Sequence, residues 1–267
     1  MAKRKNRQLD DEICALNSKP NLRSPHYLKQ IKALTHSQES LFKAWNSGNE
    51  VMIAHGSAGT GKTYLATYLA LKALLEYDSP YSRIAFFRST VPAREQGYLK
   101  GDLEDKEAPY KQVFIDAVNE LLDMKNPWST YSKYGLLEFY STSFQRGTNY
   151  HDTLLIVDEC QNMGLEELDM IMTRVGNHSR IIFCGDTEQD DLRYRHSDSS
   201  GFCDFIHIIN QMQRSQIIEF TIEDIVRSHI VKDYLYAKSG AYKGQTPPPK
   251  KTAKEDNLIH YPFTPTT

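Results

Sequence analysis

Gly56-Ser57-Ala58-Gly59-Thr60-Gly61-Lys62-Thr63 fits the pattern G-x-x-x-x-G-K-[ST], the loop that cradles nucleotide phosphates. Its flanks suit that loop. Val51-Met52-Ile53-Ala54 before it is a short apolar strand. Tyr64 to Glu76 after it is rich in Leu and Ala, free of Gly and Pro, and reads as a helix. Glycines let the backbone turn its N–H groups onto phosphates, and the helix N-terminus adds partial positive charge. In this pattern Lys62 reaches the β- and γ-phosphates and the Thr63 hydroxyl ligates Mg²⁺.

The chain has 267 residues, 40% hydrophobic and 25% charged, ordinary for a soluble globular protein. No apolar run approaches the ~20 residues of a membrane-spanning helix. The basic stretch Met1 to Arg7 has no apolar segment behind it, so a secretory signal is not expected. Cys14, Cys160, Cys184 and Cys203 are far apart and lack C-x-x-C spacing, which fits a reducing cytoplasm rather than a zinc site or disulfide framework. The net charge of −2 is uneven: residues 1–35 carry +5 and residues 240–267 carry +2, leaving the middle at −9. A nucleic-acid footprint is usually basic. Any polynucleotide contact must therefore come from a local groove or from the N-terminal arm.

Outward from the loop, Thr35 or Ser37 caps a helix over Glu39 to Asn46. Apolar strands are expected at Arg83–Phe87, Leu136–Tyr140, Thr153–Asp158, Arg180–Asp186 and Gln216–Thr221, and helices at Tyr110–Met124, Leu165–Val175, Phe202–Met212 and Ile230–Ala237. Arg88 to Pro109, with two glycines and two prolines among mixed charges, reads as a long functional loop. Continuous apolar strands separated by helices predict one α/β domain with a mainly parallel sheet. Residues 1–34 read as a flexible basic arm, 35–239 as the domain, and 240–267, with Pro247-Pro248-Pro249, as a basic tail.

Leu154-Leu155-Ile156-Val157-Asp158-Glu159 looks like a Walker B strand. Asp158, at the C-terminal end of a buried strand where α/β sheets bind ligands, is the expected Mg²⁺ residue with Thr63. Glu159 is the expected general base for an attacking water. Gln189, after Gly185-Asp186, has an amide able to bond both a γ-phosphate oxygen and a water, provided its strand lies beside the P-loop strand. Phosphoryl transfer also asks for an arginine. Arg174 and Arg227, near helix ends, are the candidates, with Arg88 and Arg146 as loop alternatives. His55 and His151 flank strands without any metal-ligand or triad spacing.

Together these motifs resemble the PhoH-like ATPases, including those common in phages, and more loosely the RecA-like first motor domain of superfamily-one helicases. The resemblance runs from Thr35 to about Val231. It covers Thr35-x-x-Gln38, Gly56 to Ala66, Arg88-Ser89-Thr90-Val91-Pro92-Ala93 to Gly97, Gly101-Asp102-Leu103-Glu104, Asp158-Glu159-Cys160-Gln161-Asn162, Thr173-Arg174-Val175-Gly176, Gly185 to Asp191 and Asp224-Ile225-Val226-Arg227. Cys160 stands where many members carry a smaller residue. The resemblance implies an adenine-reading Gln38 and nucleotide contacts from Gly56, Ser57, Ala58, Gly59, Thr60, Gly61, Lys62, Thr63 and Tyr64. It also implies ATP hydrolysis with Mg²⁺ and single-stranded RNA or DNA as partner.

Three readings compete: a nucleic-acid-dependent motor, a regulatory or protein-remodelling ATPase, and a small-molecule kinase. The acidic middle favours the second over a general phosphate binder. Glu159 and Gln189 suit water activation, which a kinase must prevent. A superfamily-one helicase closes two motor domains over one ATP, and only one is legible here. A homo-oligomer, a hexameric ring with ATP between subunits, is therefore expected, in the cytoplasm, or the host cytoplasm if phage-encoded.

Overall fold

Continuous apolar runs become neighbouring strands. A computed structural model describes residues 22–89, 103–141, 149–187 and 201–239. The strands are β1 (Val51–Gly56), β2 (Arg83–Arg88), β3 (Leu137–Ser141), β4 (Thr153–Asp158), β5 (Arg180–Gly185) and β6 (Ser215–Phe220). They form one sheet in the order β3-β2-β4-β5-β1-β6. Every pairing is parallel. The helices are α1 (His36–Asn46), α2 (Lys62–Leu75), α3 (Leu103–Leu121), α4 (Pro127–Lys133), α5 (Leu165–Met172), α6 (Gly201–Ile209) and α7 (His229–Ser239). The chain divides into two units, Met1–Val226 and Arg227–Thr267. All six strands and α1 to α6 belong to the first. The described part of the second is α7 and its lead-in.

Side chains alternate across a strand, and this sorts the core into two layers. Met52 and Ala54 of β1, Ile84 and Phe86 of β2, and Leu154 and Ile156 of β4 pack with Leu41, Leu69, Phe114 and Trp128 beneath α1 to α4. Val51 and Ile53, Ala85 and Phe87, and Leu155 and Val157 pack with Leu168, Ile171, Phe202 and Phe205 of α5 and α6. β6 is an edge strand, and its exposed Glu219 alternates with buried Ile218 and Phe220.

The structure alters or sharpens four readings. The stretch Arg88 to Pro109 is not all loop: Arg88 closes β2, and α3 begins at Leu103 with Pro109 inside it. Proline costs a helix one hydrogen bond, and the buried stripe Phe114, Ala117, Val118 and Leu121 outweighs that loss. A short helix, α4, follows the Asn126 turn. Pro127 starts it, and Trp128 and Tyr131 anchor it in the core. The helix expected to reach Val175 stops at Met172, where the Thr173 hydroxyl donates to the Asp169 carbonyl (2.8 Å). Thr35, not Ser37, caps α1, its Oγ1 accepting from the Gln38 N–H at 3.4 Å.

Phe86 sits where β2, α3 and α4 meet, with ring centroids 4.6 Å from Phe114 and 5.4 Å from Trp128. Phe86→Ala is expected to lower unfolding free energy by about 3–5 kcal/mol, measured by urea denaturation.

Candidate functional site

β1 delivers the chain to the P-loop through Gly56, which has φ 114°. A Cβ at Gly56 would overlap the Phe220 carbonyl oxygen. That carbonyl comes close because it accepts from the Ser57 N–H at 2.8 Å. Gly61, at φ 86°, is the N-cap of α2 and turns the loop into the helix. Inside the loop Lys62 is buried, and its Nζ donates to the carbonyls of Gly56 (2.8 Å) and Ser57 (2.7 Å) and to Thr60 Oγ1 (3.4 Å). Burial holds its ammonium below the usual lysine range, opposed by the negative charge of Asp186 and, further down, Asp158 and Glu159.

The outer side of the loop is braced. Gln38 is buried, its Nε2 donating to the Thr60 carbonyl (3.0 Å) and its Oε1 accepting from the Leu34 N–H (2.8 Å). The Val226 N–H donates to the Gly59 carbonyl at 3.0 Å. Just upstream, Asp224 Oδ2 accepts from Ser37 Oγ (2.8 Å) and the Thr221 N–H (2.9 Å), tying the segment after β6 to α1. Burial pushes the Asp224 carboxyl up, but hydrogen bonds from Thr35, Thr221 and Ser37 outweigh it and leave it below its ordinary value.

The inner side faces β4. Thr63 Oγ1 donates to Asp158 Oδ1 at 2.6 Å. A hydroxyl and a carboxylate that close are hard oxygen donors of the kind Mg²⁺ takes, and they leave room in its shell for waters and phosphate oxygens. These residues fit that ion. Burial pushes the Asp158 carboxyl up, with Arg88 and the Thr63 hydroxyl opposing; a dication at this edge would supply the missing counter-charge.

Glu159 follows at φ 56°, a left-handed conformation unusual for a residue with a side chain. Its two oxygens have different partners. Arg88 Nη2 reaches Oε1 at 3.2 Å, and Gln161 Nε2 donates to Oε2 at 2.6 Å. Gln161 is buried, and its Oε1 accepts from the Asp186 N–H at 2.8 Å, joining the end of β4 to the end of β5. Burial, then the neighbouring Asp158, push the Glu159 carboxyl up, and Arg88 opposes them. Neither the Arg88 nor the Gln161 link was singled out from sequence. Arg88 directly after β2 and the spacing Asp158-Glu159-x-Gln161 were the available signals.

The family model for "PhoH-like protein" matches residues 30–238. The chain belongs to the PhoH-like family. PhoH-like proteins of Mycobacterium tuberculosis and Synechocystis are 32% and 30% identical to it over 78% and 84% of this chain. Protein PhoH of Escherichia coli is 31% identical over 78%. The chain spans 58% of the mycobacterial and E. coli relatives and 66% of the cyanobacterial one. A Pif1 helicase structure from Candida albicans aligns over 77% of this chain and 44% of its own at 16% identity, with a TM-score of 0.34, too slight a likeness to say more of this chain. The all-parallel sheet, the P-loop and the PhoH-like match together make this a P-loop NTPase fold.

The remaining positions of interest in this PhoH-like chain fall as follows. β5 lies between β1 and β4, beside the P-loop strand as the Gln189 reading requires, while Gln189 and Arg146 themselves lie outside the described residues. Arg174 is at the far edge of the sheet. Its carbonyl accepts from the Tyr150 N–H ahead of β4, and the length of β4, roughly 17 Å, separates that end from Asp158. Arg174 does not reach its own chain's P-loop. Arg227 opens the second unit. Tyr64 turns toward α3, its hydroxyl, pushed up to about 12 by burial, donating to Glu120 at 3.2 Å. His55 Nδ1 lies 3.5 Å from Thr187 Oγ1, and burial holds its ring below the usual histidine range. His151 accepts from the Asn177 N–H at 3.1 Å, away from the P-loop.

Gly56, Gly59 and Gly61 of the P-loop all have positive φ, but a Cβ at Gly61 meets nothing nearer than Gln38 Nε2 at 3.6 Å. Gly61→Ala is expected to cost about 1–2 kcal/mol for the left-handed backbone alone. Gly56→Ala must also push β6 away, so its melting temperature should fall further than that of Gly61→Ala.

Proposed function

We propose that this chain binds Mg·ATP at the P-loop and hydrolyses it, as an oligomer whose turnover depends on single-stranded RNA or DNA. The observation that carries the hydrolytic reading is the arrangement at the end of β4. Asp158 bonds the P-loop threonine, and Glu159, next in sequence, has both oxygens held by donors. When bound, Mg²⁺ neutralises charge on the β- and γ-phosphates. The loop N–H groups and the start of α2 face the phosphates. Lys62, now bonded to two loop carbonyls, transfers its donors to phosphate oxygens. Glu159 accepts a proton from the attacking water as its oxygen adds to the γ-phosphorus and the bond to the β-phosphate oxygen breaks. Gln189, following the strand beside the P-loop, orients that water, and Gln38 reads the adenine.

The Arg174 position supports an oligomer in this reading. An arginine at the far edge of the sheet acts on a phosphate only in a neighbouring copy, and a closed ring is the symmetric way to supply it. Arg227 is the second candidate. A hexamer is proposed, with residues 1–34 and 240–267 as basic arms beside an acidic middle of charge −9. That acidity favours one alternative, a regulatory or protein-remodelling ATPase with no polynucleotide partner. Among the described residues no helix is long and apolar enough to cross a membrane, and a cytoplasmic site of action is part of this proposal.

ATP turnover measured with and without single-stranded RNA and DNA at low salt tests the reading. Polynucleotide is expected to stimulate turnover, Lys62→Ala to lose Mg·ATP binding, and Glu159→Gln to keep binding while losing about 100-fold or more in turnover. No stimulation with intact basal turnover points to the protein-directed alternative. Phosphate passing to a small acceptor instead of water overturns hydrolysis. Sedimentation in Mg·ATP checks the assembly, and a fully active monomer contradicts the ring.

A further inference from the structure

We infer that Arg88 is a positioning residue for Glu159, holding the carboxylate in its proton-accepting orientation through a guanidinium shared between the two β4 carboxylates. The inference rests on the hydrolytic reading of Glu159 and adds to it a residue from a different strand. β2 and β4 pair in register so that Arg88 stands opposite Asp158. The Arg88 side chain is largely buried. Its Nη2 reaches Glu159 Oε1 at 3.2 Å and its Nη1 lies 3.4 Å from Asp158 Oδ2. Among the described residues it is the cation at ion-pair distance from either carboxylate. Lys62 has turned its own donors to the P-loop.

Three features favour positioning over mere charge balance. Glu159 sits at φ 56°, a sparsely populated backbone conformation that persists only where surrounding contacts hold it. Gln161 secures Oε2 and is itself secured by the Asp186 N–H, so Arg88 on Oε1 completes a two-point clamp. Arg88 Nη1 is buried without a hydrogen bond among the described residues, so the fork is seated for Glu159 rather than for a bidentate grip on Asp158. A planar fork can touch two acids at fixed separation, whereas a lysine ammonium is a point charge on a flexible stem.

The test compares wild type, Arg88→Ala, Arg88→Lys, Glu159→Gln and the double variant Arg88→Ala/Glu159→Gln in the full-length chain. ATP turnover, affinity for a fluorescent Mg·ADP analogue and melting temperature are measured on each. Arg88→Ala is expected to lower kcat about 100-fold with KM and Mg·ADP affinity within about threefold. Arg88→Lys should keep the melting temperature and nucleotide affinity yet recover less than about a tenth of kcat. Because Arg88 acts through Glu159, the double variant should be no slower than Glu159→Gln alone. Losses that multiply in the double variant, full recovery by lysine, or an effect confined to KM overturns the inference. If Arg88→Ala does not fold, Arg88→Lys carries the same comparison. Wild-type turnover by Glu159→Gln instead overturns the base reading beneath it, a result distinct from an inert Arg88.

Discussion

Parallel pairing sends the C-terminal ends of β1, β2, β4 and β5 to one edge of the sheet, and the polar groups of the site arrive there for that reason. Gly56 and the P-loop come from β1, Arg88 from β2, Asp158 and Glu159 from β4, Asp186 from β5. Each strand is an apolar run that must be buried on both faces, so the core and the site share one cause. The 2.6 Å bond from Thr63 to Asp158 then spans the width of β5 and fixes the helix after β1 to the strand two positions away. Moving that bond means moving α2 or β4, both of which lie in the packed core.

Charge at this edge is tightly arranged. Of two consecutive carboxylates Asp158 is buried and Glu159 half-buried, and burial pushes both upward. Among the described residues Lys62 and Arg88 are the basic groups beside them, and they face different ways. Lys62 serves the loop, with its charge toward where phosphates belong. Arg88 serves the carboxylates. A nucleotide with its metal brings charge of both signs into such a place, and the donors now spent on loop carbonyls are ones that phosphate oxygens can take over.

Much of this was legible in the sequence because it is local. The P-loop, the strand before it and Asp158-Glu159 after four apolar residues are contiguous patterns, and all are found as strands and turns where expected. What escaped depends on partners far away in the chain. α4 is seven residues whose stability comes from burying Trp128 and Tyr131, which no window around them reveals. Pro109 argued against a helix that tertiary packing of Phe114 and Val118 sustains. Arg88 looked like the start of a loop, since its pairing with residues 70 and 71 positions onward exists only once β2 and β4 are neighbours. Arg174 looked equally good as an arginine for phosphate until the sheet put it at the opposite edge.

The account stands on Thr63 and Asp158 forming the metal edge of a nucleotide pocket. Calorimetric titration of ATP into wild type and Asp158→Asn, each with Mg²⁺ and with EDTA, examines that edge directly. Wild type is predicted to bind Mg·ATP at least about tenfold more tightly than metal-free ATP, and Asp158→Asn to lose that advantage while keeping its metal-free affinity. A Mg²⁺ advantage that survives in Asp158→Asn would contradict the account.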